Sequence, residues 1–268
     1  MNVLILTDFS KVADNAGKYA VDFLRKVPAN FYLLNIETFN FRGVAIEYLR
    51  EKKGMAVDKL NKSLDHLREY SSNPEHNFQA CFSEENLVNA TRRFTAEKKI
   101  DLIVMGAAGR DSEHNAILGN HTYEIIRKIR CNILAVAEGS TYKQPEKIAL
   151  PMDYSASLDN KVLKFFEIPG IVKKTRITVM EIKNSSPAAA EVELPRDMIF
   201  GQLNNHLHFV ELEESAIYNA ELLREVQEKF DMIVMLGKNL SVCNRLLHSK
   251  YGVVTAITNK LPILVLHA

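Results

Sequence analysis

The chain has 268 residues, with 34 Lys and Arg against 33 Asp and Glu, a formal net charge of +1 and a pI near 7.7. That length allows two ordinary domains with a large core, and the neutral balance carries no electrostatic footprint for nucleic acid or an anionic membrane surface. The opening MNVLILTDFS has no basic lead and only a short apolar run before Asp8, so neither a signal peptide nor a membrane span is expected, and Cys81, Cys131 and Cys243 form no CxxC pair or disulfide framework, which fits a reducing cytoplasm.

Apolar periodicity predicts an alternation of strands and helices. Val3-Leu4-Ile5-Leu6 reads as a buried strand, and Ser10 opens a helix whose Val12, Ala16, Tyr19, Ala20, Phe23 and Leu24 share a face. A turn at Pro28-Ala29-Asn30 leads to a second strand over Phe31–Ile36. Residues 43–70 read as a long amphipathic helix with Ile46, Leu49, Val57, Leu60, Leu64 and Leu67 facing inward. A weaker third strand, Phe78–Phe82, precedes a helix over Glu84–Lys98, and Leu102-Ile103-Val104-Met105 is the fourth strand. Tyr123 to Ile129 has helical spacing again, and Ile133-Leu134-Ala135-Val136 is the fifth strand. Strands separated by helices of this length imply a parallel sheet covered on both faces. In such sheets ligands bind beyond the strands' C-terminal ends, where Thr7, Asp8 and Gly106 fall.

Between the fourth strand and the fourth helix runs MGAAGRDSEHNAILGNHT, with Gly106, Gly109 and Gly119 spaced as Gly-x2-Gly-x9-Gly. Glycine takes positive φ or lets backbone N–H groups approach a ligand closely. Asn120 and Thr122 sit where the helix begins, with unpaired N–H groups and a positive dipole end, a natural place for phosphate. The competing reading is plain turn chemistry in a long loop. His121 is either a donor beside phosphate or a solvent-facing residue.

After a polar stretch holding Gly139 and Pro145 the pattern begins again. Ile148 to Ser155 echoes Val3 to Ser10 without a gap, Asp231 to Met235 echoes Asp101 to Met105, and Ile263 to Leu266 echoes Ile133 to Val136. The chain is therefore an internal duplication, divided into residues 1–138, a linker at 139–145, and 146–268. In the second copy Asn239 stands at Gly109, Ser249 at Gly119 and Lys250 at Asn120, while Gly237 matches Gly106 only after a one-residue slip. Left-handed geometry at Asn or Ser costs about 1–2 kcal/mol per residue, so the second copy is expected to have lost this mode of phosphate binding. Its Ser185 to Asn205 segment, with Pro187, Pro195 and Gly201, allows only a short helix or an irregular excursion.

The strand end Leu6-Thr7-Asp8-Phe9-Ser10, the Gly106-x2-Gly109-x9-Gly119 spacing followed by a polar residue, and the apolar fifth strand together resemble the universal stress protein family, and the whole chain looks like a tandem member. The resemblance implies an α/β fold with two tandem five-stranded parallel sheets in the order 3-2-1-4-5, Rossmann-like and adenine nucleotide alpha-hydrolase-like. It also implies ATP or AMP binding in the first copy. By that comparison Thr7 and Asp8 lie by the adenine and ribose, Ile36 packs on the base, and Met105 and Gly106 line the pocket. Gly109, Gly119 and Asn120 then surround the phosphates, with His121 and Thr122 close by. Nucleotide-binding members usually carry Ser or Thr where this chain has Asn120. The family pairs fifth-strand edges between subunits, which a tandem chain can do internally.

No Gly-x-Ser-x-Gly elbow, Walker lysine or paired carboxylates at an acid–base spacing appear, so a dedicated enzyme is not expected. Asp8 and Asp153 are each able to meet a magnesium ion held mainly by nucleotide phosphates. His206 and His208 share a strand face without a third ligand nearby, and no metal site is read there. Three readings remain: a cytoplasmic nucleotide-binding stress protein whose second copy is a pairing partner or regulatory surface, an interaction module that binds no nucleotide, and a slow ATPase.

Overall fold

The structure, a computed structural model, describes residues 1–38, 46–108, 118–152, 175–183, 207–213, 220–237 and 260–267. Gly109, Asp153, His206 and the 185–205 segment lie outside them, as do Asn239, Ser249 and Lys250. The first half runs β1 (Asn2–Thr7), α1 (Lys11–Phe23), β2 (Ala29–Ile36), α2 (Ile46–Tyr70), β3 (His76–Ser83), α3 (Leu87–Glu97), β4 (Leu102–Gly106), α4 (Asn120–Lys128) and β5 (Asn132–Val136). In the second half the described elements are β6 (Lys147–Met152), β7 (Arg176–Lys183), β8 (Leu207–Glu213), α5 (Ala220–Lys229), β9 (Met232–Leu236) and β10 (Ile263–Leu266).

The ten strands among the described residues form one sheet in the order β3-β2-β1-β4-β5-β10-β9-β6-β7-β8. Each half thus has the 3-2-1-4-5 order and is parallel within itself. Helices on both faces explain why β1 and β4 are apolar runs without alternation. Val3, Ile5 and Phe31 of the sheet pack with Leu60 and Leu64 of the α1–α2 layer, while Leu4, Leu6 and Leu34 pack with Val88 and Ile125 of the α3–α4 layer. Both clusters continue into the second half, through Leu150, Val179 and Leu264 on one face and Met180, Ile233 and Ile263 on the other.

Two elements differ from the periodicity. Ile46 is 71% exposed, and the buried positions of α2 are Ala56, Leu60, Leu64 and Leu67. A 25-residue helix extends about 37 Å at 1.5 Å per residue, whereas its eight-residue strand neighbours span about 26 Å. The first turns of α2 therefore run past the sheet. Strand β3 is longer than its apolar core, because it pairs with β2 from Ala29↔His76 to Ile36↔Ser83. His76 is buried there, its Nδ1 2.7 Å from Ser71 Oγ and its Nε2 3.2 and 3.1 Å from the Leu24 and Val27 carbonyl oxygens.

The halves meet at an antiparallel seam in which Leu264 pairs with Leu134 and Ile263 with Ala135. Every residue from Ile133 to Val136 and from Ile263 to Leu266 is buried. Two apolar edges that would each template association instead satisfy one another. The connection between halves is also pinned. Asn15 Nδ2 donates to the carbonyl oxygens of Ala137 at 3.2 Å and Ser140 at 2.9 Å, and Ser140 Oγ donates to the Lys260 carbonyl at 2.6 Å. Tyr142 meets Tyr19 and Phe23 edge-on, with ring centroids 5.5 and 6.1 Å apart. At the far end of the seam the His267 N–H donates to Asn132 Oδ1 at 2.9 Å, and the imidazole Nε2 is buried with no partner among the described residues. Burial, reinforced by the nearby Arg130 guanidinium, pushes this imidazole down to about 4.

Two outcomes follow from the seam. Leu264→Ala leaves a cavity at its centre and costs about 2–5 kcal/mol, read as a lower urea midpoint. Unfolded His267, with its ordinary value of 6.5, takes up a proton that the folded chain refuses. Its contribution to stability is therefore complete above pH 6.5 and lost as pH falls from there towards 4, a loss on the order of 3 kcal/mol. Urea titrations across that window show a steeper pH dependence for the wild type than for His267→Gln.

Candidate functional site

The turn from β1 into α1 is built by its own side chains. Thr7 Oγ1 accepts from the Phe9 N–H and Asp8 Oδ1 from the Ser10 N–H, both at 3.0 Å. Ser10 then caps α1, its Oγ accepting from the Ala13 N–H at 3.3 Å. Asn35 on β2 steadies the strand end by donating from Nδ2 to the Thr7 carbonyl at 2.9 Å. Phe9 is held at φ 61°, a left-handed conformation costing an L-residue about 1–2 kcal/mol. Such strain persists where the surroundings over-determine the backbone, and it clusters at ligand sites. The consequence is that Asp8 projects, exposed, at the sheet's C-terminal edge.

One strand over, β4 ends at Gly106. A Cβ there would lie 2.9 and 3.0 Å from the two Val12 methyls of α1, so close approach, not positive φ, demands the glycine. Gly119 is the N-cap of α4 at φ −69°, ordinary geometry for any residue, and as a glycine it brings no side chain to cap the helix. Among the described residues no side chain meets the first N–H groups of α4, a place suited to an anion. The Thr122 hydroxyl donates to the Gly106 carbonyl at 2.8 Å, and the Gly119 N–H to the Ala107 carbonyl at 2.7 Å. These two bonds tie the helix start to the strand end. They also commit the Thr122 proton, so this residue can offer a phosphate only its backbone N–H.

These elements surround one cavity of about 850 Å³. Thr7, Asp8, Ile36, Met105, Gly106, His121 and Thr122 all line it, whereas Gly119 and Asn120 do not. Its floor is apolar, from Leu6, Leu34, Ile36 and Met105, and its rim polar. Periodicity and glycine spacing missed its α3 wall, where Asn86, Leu87, Val88, Asn89 and Arg92 contribute, and the later turns of α4, where Glu124 and Lys128 do. The available signal was positional: Asn86, an N-cap whose side chain accepts from the Asn89 N–H, follows the C-terminal end of β3 just as Ser10 follows that of β1. Among the described residues no group of three or more His, Cys, Asp or Glu could hold a metal.

The second half lacks this geometry where it is described. The Ala107 N–H bonds to the Val136 carbonyl and the Gly237 N–H to the Leu266 carbonyl, each at 2.8 Å. Gly237 therefore occupies the place of Ala107 with no slip, and Leu236, buried, stands in place of Gly106. Gly237 has its own reason to lack a side chain: a Cβ there would come within 2.3–2.6 Å of the His267 ring. His267 in turn holds the position of Ala137. Bulk replaces space at both corners.

A curated universal stress protein of Methanocaldococcus jannaschii is 26% identical to this chain over 154 residues, 54% of this chain and 83% of the relative. A crystal structure of a universal stress protein from Archaeoglobus fulgidus superposes with a TM-score of 0.65 at 13% identity, covering 99% of this chain and 96% of the other. A functionally unknown protein from Pseudomonas aeruginosa superposes with a TM-score of 0.54 at 16% identity, over 99% and 92% of the two chains. The α/β fold over nearly the full length is common to this chain and the two crystallised proteins. The sequence pattern of the universal stress protein family matches residues 1–137, the half that carries the cavity, and the chain belongs to that family.

Proposed function

We propose that the first half, residues 1–138, binds ATP or AMP in this cavity, one nucleotide per chain, and that the second half, residues 146–268, is a degenerate copy serving as pairing partner and regulatory surface in a cytoplasmic stress response. The observation that carries the reading is the meeting of the β1 and β4 ends with the uncapped start of α4 on one cavity with an apolar floor. A planar base suits Leu6, Leu34, Ile36 and Met105, and the phosphates suit the helix N-terminus and its dipole. Asp8, with one carboxylate oxygen in the turn, is positioned for a ribose hydroxyl, and a magnesium ion would be held mainly by the phosphates. Leu236 and His267 support the one-site stoichiometry.

A second reading, an interaction module without nucleotide, draws on the committed Thr122 hydroxyl and on Asn120 standing outside the cavity wall. Denaturing the purified chain and identifying released small molecules by chromatography and mass spectrometry separates the two. The nucleotide reading gives about one adenine nucleotide per chain, or, for empty protein, a stabilisation of about 2.7 kcal/mol at a hundred times the dissociation constant. Two nucleotides per chain contradict the degenerate second half, and an empty protein without any thermal shift supports the interaction module.

Substitutions locate the site. Asp8→Ala removes the ribose partner and is expected to weaken ATP at least about tenfold, the worth of one charge-assisted hydrogen bond. Gly106→Val drives side-chain atoms into Val12 and the cavity floor and should abolish binding, with circular dichroism reporting whether the fold survives. Unchanged affinity in both variants places the ligand elsewhere.

A further inference from the structure

The cavity extends beyond the strand ends into the cleft between α3 and α4. Its volume of about 850 Å³ sits near the upper end of small-molecule pockets, roughly 300–1,000 Å³. The two arginines of α3 are neighbours in sequence and opposites in company. Arg93 is held by Glu85 at 2.9 Å and Glu97 at 3.3 Å. Arg92, which lines the cavity, meets no carboxylate among the described residues. Its guanidinium reaches Asn89 Oδ1 and the Lys128 carbonyl oxygen, each at 3.5 Å. Both contacts lie at the outer limit of hydrogen bonding, so most of its five donors are uncommitted to protein among the described residues.

Place matters as much as charge. Lys128, which Arg92 touches, is the last residue of α4, and Asn120 the first. They are about 12 Å apart along a helix rising 1.5 Å per residue. A nucleotide whose phosphates meet the start of α4 and whose base lies on the apolar floor brings a base edge to within reach of the other end. We propose that Arg92 reads the acceptor edge of that base, and that it admits 6-oxopurine (guanine) nucleotides to the site alongside adenine nucleotides. The inference rests on the nucleotide reading above. Guanine sets O6 and N7 side by side as acceptors, the pair that the arginine fork meets with two parallel N–H donors. Adenine offers N7 beside an N6 amine that is itself a donor, so the same fork gains one bond there. An asparagine or a neutral stem at this position would have no such preference. Glu124 is engaged by Lys128 at 2.5 Å, so on the helix side of the cavity Arg92 is the charged residue without an ion-pair partner among the described residues, while Asp8 stands at the strand end.

Isothermal titration of the full chain with ATP and with GTP, on wild type, Arg92→Met and Arg93→Met, tests this. GTP is expected to bind wild type within about tenfold of ATP, and Arg92→Met to weaken GTP by roughly ten- to a hundredfold, the worth of a bidentate base contact. The loss for ATP should be several times smaller. Arg93→Met, which disturbs the same helix without touching the cavity, leaves the ratio of the two affinities unchanged. Arg92→Gln removes the charge and the paired donors but keeps a polar side chain of good helix propensity, and it shows the same selective loss, which guards against a folding defect peculiar to methionine. A wild type that binds ATP and not GTP, or a ratio unmoved by both Arg92 variants, overturns the role of Arg92 and leaves the nucleotide site standing. A chain that binds neither nucleotide overturns the site itself, and this inference with it.

Discussion

A parallel strand can reach its parallel neighbour only by crossing back over the sheet, and this constraint organises everything else in the molecule. It forces a helix between consecutive strands, covers both faces, and delivers every strand's C-terminal end to the same edge. Thr7, Ile36 and Gly106 come from distant parts of the chain and meet there for that reason alone. The loops at that edge are then free to carry chemistry, since the packing is done by the strands and helices beneath them. Even the strained Phe9 and the side-chain-free Gly106 are tolerated because β1, β4 and α1 bury nearly every apolar atom around them.

Duplication gave the chain two such edges, and the antiparallel seam points them in opposite directions. The first keeps open space where the second has filled it. Leu236 for Gly106 and His267 for Ala137 are substitutions towards bulk, and the glycine that survives, Gly237, makes room for a histidine ring. Apolar strand positions on both sides of the seam meanwhile stay buried. Packing has been preserved while the ligand-side corners drifted.

Much of this could be read from residues alone, and the failures have physical causes. Strands buried on both faces announce themselves as Val, Leu and Ile runs, so β1, β4, β5, β9 and β10 were plain. The repeat follows from their recurrence, whereas the internal pairing of β5 with β10 is what the family resemblance implies for a tandem chain. Apolar periodicity cuts strand β3 short because an edge strand can be polar and still pair through its backbone, as Asn77 and Gln79 do. Helical spacing turns Ile46 inward because it gives a face and not where the sheet beneath it stops. Of the nine expected residues that the structure describes, seven line one cavity, since strand ends and a helix start carry local marks. Arg92 and Asn89 carry none: they belong to the site through the crossover of α3, which only the folded chain displays.

The pinned seam has a consequence for how such a chain can change. In a dimer of identical subunits every substitution at the interface occurs twice, facing its own copy, and a residue must suit itself as a neighbour. Here Leu134 faces Leu264 and Ala135 faces Ile263, positions encoded separately. Each side can be altered singly and compensated by its partner. Fusion has broken the symmetry of inheritance while keeping that of shape, so one half is free to specialise in a ligand while the other retains only what the sheet requires of it.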